Sequence, residues 1–234
     1  MATKSTPSRT APPPAKSRTP WIVGGVIALV VVVAAVVAII ASSGGGNGGG
    51  DDGSGLPPTS IGEVVAEMLP VEISGEALPT FASVANDGAI GMTAPTLKGL
   101  SFDQTPVDVL PGEGGPYMVV FLAHWCPHCN AEIPRLIEWA EGGGVPEGLQ
   151  IVGVSTSVDA NAPNYPPSEW IVDKGWPWPV MADSADRTAA QVYGVGGFPQ
   201  FVIVGEDGTV LYRNSGEMGV EDIDAAVDQA LGLA

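Results

Sequence analysis

Seven consecutive apolar residues, Tyr117 to Ala123 ("YMVVFLA"), run directly into "HWCPHCNAEIP" at residues 124–134. An uninterrupted apolar run of this length suits a central strand buried on both faces. A helix follows from Pro127, because a proline is tolerated in the first helical turn, where its missing N–H removes no intrahelical bond. The same alternation continues downstream. "LQIVGVS" (149–155) is a second apolar run, "PPSEWIVDKG" (166–175) a helix ending at glycine, and "WPVMAD" (178–183) a third short strand. "SADRTAAQVYG" (184–194) reads as a helix capped by Ser184. "QFVIVGEDGTVLYRN" (200–214) reads as two strands joined around Asp207–Gly208, and "GVEDIDAAVDQALG" closes the chain as an amphipathic helix. This order predicts an α/β fold with a central mixed β-sheet flanked by helices. No internal repeat is visible.

Upstream, the chain is organised differently. Hydrophobic residues make up 45% of the chain, and much of that excess lies in "WIVGGVIALVVVVAAVVAIIA", residues 21–41, which carry no charge. At about 1.5 Å per residue they reach about 30 Å, enough to span a bilayer as a single N-terminal transmembrane helix. A cleavable signal peptide is the rival reading, but its apolar region is normally about 7–15 residues long. Lys4, Arg9, Lys16 and Arg18 precede the span. Beyond it, five Lys or Arg against all 26 Asp and Glu leave a net −21. Positive residues stay cytoplasmic, so residues 1–20 are expected to be a disordered cytoplasmic tail and the remainder extracytoplasmic. An acidic domain is a poor partner for nucleic acid. Residues 42–60 form a Gly-rich flexible linker; 42–55 hold eight glycines and give a coil reach of roughly 20 Å. Residues 61–90 are poorly assigned. "SIGEVVAEML" (60–69) fits a short helix capped by Ser60, with Glu63 at the capping-box position.

The chain's two cysteines, Cys126 and Cys129, flank Pro127 and His128. At the junction of strand and helix, a thiolate at Cys126 faces unpaired backbone N–H groups and the positive helix end. A protonated His128 adds positive charge, so these surroundings favour thiolate over thiol. Cys129, one turn along and more enclosed, is close enough to close a disulfide ring. An outer attacking sulfur and an inner resolving one are what thiol–disulfide exchange needs. C-x-x-C is also half of a zinc site, but no second cysteine pair exists to complete one. A disulfide closing two intervening residues would constrain the unfolded chain little, which argues against a purely structural bridge.

"HWCPHC" followed by Asn130, Ala131, Glu132, Ile133 and Pro134 resembles the active-site segment of the thioredoxin superfamily. "APTLKGLSFDQTPVDVL" (94–110), the strand–helix insertion and the anchor resemble its TlpA/ResA-type membrane-anchored branch. The resemblance implies a thioredoxin-like domain over 91–234, with Cys126 attacking, Cys129 resolving and Pro134 bending the active-site helix. It implies that Glu132, three residues past Cys129, exchanges a proton with that thiol. Through "GVGGFPQFVIV" it implies a cis-proline at Pro199 after Phe198, where a substrate peptide pairs as an added strand. Trp125 matches the aromatic residue that covers the disulfide. His124 is expected to be an exposed neighbour, and Trp170, Trp176 and Trp178 to pack a helix and edge strand.

Three departures qualify the resemblance. Val120 stands where thioredoxin has an acidic residue on the preceding strand. Phe198 is bulkier than the residue usual before the cis-proline. Pro127-His128 is the dipeptide of disulfide-donating DsbA-type oxidases, whereas the branch as a whole points to a reductant. The direction of electron flow therefore stays open. The expected function is exchange of disulfides with cysteine-containing exported proteins, served by a redox partner protein. The redox group is the Cys126–Cys129 disulfide, with no other cofactor and no metal. The alternative is a Cu(I)-binding metallochaperone using both thiolates with His128 or His124, since soft sulfur ligands select that ion. A peroxidase of the peroxiredoxin type would need its thiol in a different local setting.

Overall fold

In the computed structural model of the chain, residues 66–233 are described. The expected tail, span and linker (1–20, 21–41 and 42–60) lie outside them, as do residues 61–65. Among the described residues no helix is long and apolar enough to cross a membrane.

Tyr117–Leu122 (β4) is buried at every position. It is central to a five-stranded sheet with Gln150–Ser155 (β5), Val180–Ala182 (β6), Gln200–Val204 (β7) and Val210–Ser215 (β8), in the order β6-β5-β4-β7-β8. β5 runs parallel to β4 and to β6, whereas β7 lies antiparallel to β4 and β8. The mixed sheet is as expected. Successive β4 side chains point to opposite faces, which explains the unbroken apolar run. Met118, Val120 and Leu122 enter one core with Cys126, Cys129, Ile133, Leu136 and Trp139. Val119 and Phe121 enter the other with Leu97, Val109, Ala189 and Tyr193.

The first core is roofed by Pro127–Glu141 (α1), Pro167–Asp173 (α2) and Val220–Leu231 (α4). The opposite face is covered by a second antiparallel sheet and a short helix, Thr188–Val192 (α3). Glu72–Ser74 (β1), Thr96–Leu100 (β2) and Pro106–Val109 (β3) make up that sheet. Trp170 is buried, and Trp176 and Trp178 meet edge to face at 4.9 Å, against the core.

Several expectations are corrected here. The segment before residue 91 is part of the domain. β1 pairs with β2, and the N–H groups of Leu78 and Phe81 donate to the carbonyls of Val192 and Gly194. The Glu67 carboxylate accepts from Ser168 N at 2.9 Å and Oγ at 2.6 Å, covering the open first turn of α2. Of the helix expected at 60–69, the described residues 66–69 are irregular. The helix after β6 begins at Thr188 rather than just after Ser184, because Arg187 adopts a left-handed conformation (φ 58°). Its end is satisfied by several groups: Ser184 Oγ accepts from Thr188 N, and the Asp183 carboxylate from Ala189 N and Ala190 N.

Candidate functional site

The site begins where β4 ends. Cys126 caps α1 with extended backbone (φ −76°, ψ 118°), and Pro127 takes the first helical position. Asn130 ties this turn together. Its Nδ2 donates to the Cys126 carbonyl at 2.9 Å and the His124 carbonyl at 3.2 Å, while its Oδ1 accepts from Trp170 Nε1 at 3.0 Å. Asn130 carried no signal in the sequence beyond its place in the motif.

Both cysteines are free thiols and both are buried, Cys129 completely. Cys126 is 5% exposed, more enclosed than an outer attacking sulfur was expected to be. Its enclosure comes in part from the loop before β7. The Phe198–Pro199 peptide bond is cis, and the Phe198 carbonyl accepts from Cys126 Sγ at 3.6 Å. Trp125 stands beside this loop. Its ring meets that of Phe198 edge to face at 5.9 Å, and its Nε1 donates to the Ser157 carbonyl at 2.7 Å. Cys126, Trp125, Phe198 and Pro199 therefore converge at one surface.

Behind Cys126, burial pushes the Cys129 thiol far above its ordinary value, and the nearby Cys126 and Glu132 add to that shift. Glu132 lies fully buried on the inward face of α1. Its Oε2 accepts from Met218 N and from Arg135, both at 3.1 Å, while Oε1 has no hydrogen-bond partner. Burial raises its carboxyl above the usual range, against the opposing pull of the Met218 N–H and the Arg135 guanidinium.

His128 is solvent-facing. Its Nδ1 lies 2.7 Å from Glu217 Oε1, and the other oxygen of Glu217 pairs with Arg135. The His128 and Arg135 hydrogen bonds hold the Glu217 carboxyl below the usual range. A chain of polar contacts thus runs His128–Glu217–Arg135–Glu132, from the surface to the floor of the site. Glu217 was missed in the sequence, since it lies 89 residues from His128 and outside any motif.

His124 is a correction. It is fully buried rather than an exposed neighbour. Nε2 accepts from Asp159 N at 3.2 Å, so Nδ1 carries the proton it donates to the Pro163 carbonyl at 2.8 Å. Both ring nitrogens are used in fixing the 159–164 loop. Among the described residues no group of three or more His, Cys, Asp or Glu is arranged to hold a metal.

A buried dithiol at a strand–helix junction, in contact with a cis-proline loop at the same end of a mixed sheet, defines the class of thiol–disulfide oxidoreductases. Residues 73–231 match the Redoxin family, and the chain belongs to it. The soluble secreted antigen MPT53 of Mycobacterium tuberculosis is 29% identical over 152 residues, covering 65% of this chain and 80% of that protein. The thiol:disulfide interchange protein DsbE of Haemophilus influenzae is 29% identical over 125 residues, 53% of this chain and 64% of that protein. Among solved structures, a thioredoxin-family thiol:disulfide interchange protein from Chlorobium tepidum superposes with a TM-score of 0.50 at 26% identity. It spans 61% of this chain and 97% of that one. The chain is an oxidoreductase of this thioredoxin-fold family.

Proposed function

We propose that the protein is a membrane-tethered, extracytoplasmic oxidoreductase that exchanges disulfides with cysteines of exported proteins. Cys126 is the attacking residue and Cys129 the resolving one. The observation that carries this reading is the pairing of a sulfur at the open end of α1, against the Phe198 carbonyl, with a second sulfur buried behind it. The uncharged run at 21–41 and the acidic remainder support the address. So does the mycobacterial relative, whose name describes it as secreted.

In the reducing direction the Cys126 thiolate attacks a client disulfide. A mixed disulfide forms and one client sulfur leaves, taking up a proton. Cys129 gives up its proton, with the unpartnered Oε1 of Glu132 as acceptor, and attacks Cys126 Sγ. The second client sulfur departs as a thiol, and two electrons have moved to the client. Disulfide donation is the same sequence reversed. Trp125, Phe198 and Pro199 receive the client backbone beside the sulfur. His128, held by Glu217, stands at the mouth of the site. The direction is set by the potential of the couple relative to its redox partner protein.

The test is exchange with a peptide disulfide, followed together with the reduction potential of the chain. The reading predicts a single two-electron couple and exchange much faster than that of a free peptide thiol. Exchange no faster than a free thiol would defeat it, and the measured potential assigns the direction.

A further inference from the structure

A second feature lies beside the dithiol. A cavity of about 350 Å³ is lined by Thr80, Ser157, Arg187, Gln191, Gly197 and Phe198, among others. It adjoins the reacting sulfur through Phe198 and the neighbouring Trp125 through Ser157. Phe198 presents its carbonyl to Cys126 Sγ, and Ser157 presents its own to Trp125 Nε1. Its floor is fixed, because Gly194 and Gly196 lie so close to the carbonyls of Pro79 and Phe81 that neither position has room for a Cβ. Two of the four non-glycine residues with positive φ in the described chain, Ser157 (55°) and Arg187 (58°), stand on its rim. Such conformations cost of order 1–3 kcal/mol each and cluster where the surroundings hold a side chain for use.

The charge is the informative part. The described residues carry five Lys or Arg in a strongly acidic chain. Arg135 is paired with Glu132 and Glu217, and Arg213 with Asp87. Arg187, like Lys98 and Lys174, makes no ion pair among the described residues, although Asp186 is its chain neighbour, and it is the one cation lining this cavity. A guanidinium presents a planar fork of donors that fits a carboxylate. The volume admits an amino-acid side chain rather than a large ligand, and the position suits a residue near the cysteine being exchanged.

We propose that this cavity is a specificity subsite. It receives an acidic side chain of a client polypeptide, close in sequence to the client's cysteine, with Arg187 as the pairing group. This rests on the oxidoreductase reading given above.

The test uses twin peptides with one central cysteine, flanked in one by Glu and in the other by Lys. Their binding to the full chain carrying Cys126→Ser is read by calorimetry. A hydrogen-bonded pair to a charged group predicts about tenfold tighter binding of the Glu peptide. Arg187→Gln should level the two and Arg187→Glu should reverse them. Both replacements are unbranched, so they sit at the left-handed φ much as arginine does. Equal affinity of the twins for the site with Arg187 intact would overturn the proposal without any substitution there. So would a preference that survives Arg187→Glu. Exchange by the native chain, with each peptide presented as its symmetric disulfide, separates the two readings. A binding preference without exchange of either peptide sinks the oxidoreductase account and leaves the subsite standing. Exchange of both peptides at one rate sinks the subsite alone.

Discussion

At the scale of single residues, Glu132 ties the chemistry to stability. Its carboxyl is raised by burial, so between the unfolded value of about 4.3 and the raised folded value the native state binds more protons than the unfolded chain. The stability it contributes is complete below the unfolded value and is lost as pH climbs through the folded one. Gln does not titrate, so Glu132→Gln should gain stability relative to the native chain across that window. The gain is up to about 1.4 kcal/mol for each unit by which the carboxyl is raised. Paired urea melts from pH 4 upward would read it; a difference flat in pH would contradict the assignment. In the proposed exchange the same substitution removes the acceptor for the Cys129 proton. Resolution of a mixed disulfide should slow by about 10²-fold or more while its formation changes little, as stopped-flow measurement of the two phases would show. The motif spacing made Glu132 visible in the sequence. Asn130, Glu217 and the burial of His124 were not visible, because each depends on contacts made 35 or more residues away.

At the scale of elements, the site depends on three pieces: the β4–α1 turn, the loop before β7, and the segment at 78–81. The first two were legible, one from an apolar run broken by a cysteine and proline, the other from glycines leading to Pro199. The third was not, because residues 61–90 show no periodicity. The order of 78–81 comes from backbone hydrogen bonds to Val192 and Gly194, which no side-chain pattern announces. Gly194 is where the two segments touch. Its φ is +62°, and a Cβ there would strike the Leu78 and Pro79 carbonyls. Gly194→Ala should therefore cost about 1 kcal/mol for the left-handed backbone and a further 1–3 kcal/mol for displacing segment 78–81. Hydrogen exchange should show the Leu78 and Phe81 amides losing protection before those of β4. Unchanged protection at both amides would contradict the proposed contact.

At the scale of the whole molecule, one buried ion pair joins the first described segment to the last strand. Arg213 on β8 donates to Asp87, to the carbonyls of Tyr193 and Pro79, and lies 5.6 Å over the Phe81 ring. Both charged side chains are shielded from water. Burial opposes the charge on Asp87, but hydrogen bonds from Arg213 and Ala89 N, together with the Arg213 charge, outweigh it and hold the carboxyl low. The stability it contributes is present above the unfolded value of about 3.9 and is lost as pH falls through the folded one. Arg213→Met, which strands the carboxylate, should cost about 3–5 kcal/mol at neutral pH and less in acid. A loss independent of pH would contradict the pairing. The central claim remains the division of labour between the two sulfurs, and trapping tests it most directly. The Cys129→Ser chain, mixed with a peptide disulfide, should accumulate a stable mixed disulfide through Cys126 that intact-mass spectrometry detects. The Cys126→Ser chain should accumulate none. Adducts forming equally on both variants, or only through Cys129, would contradict the account.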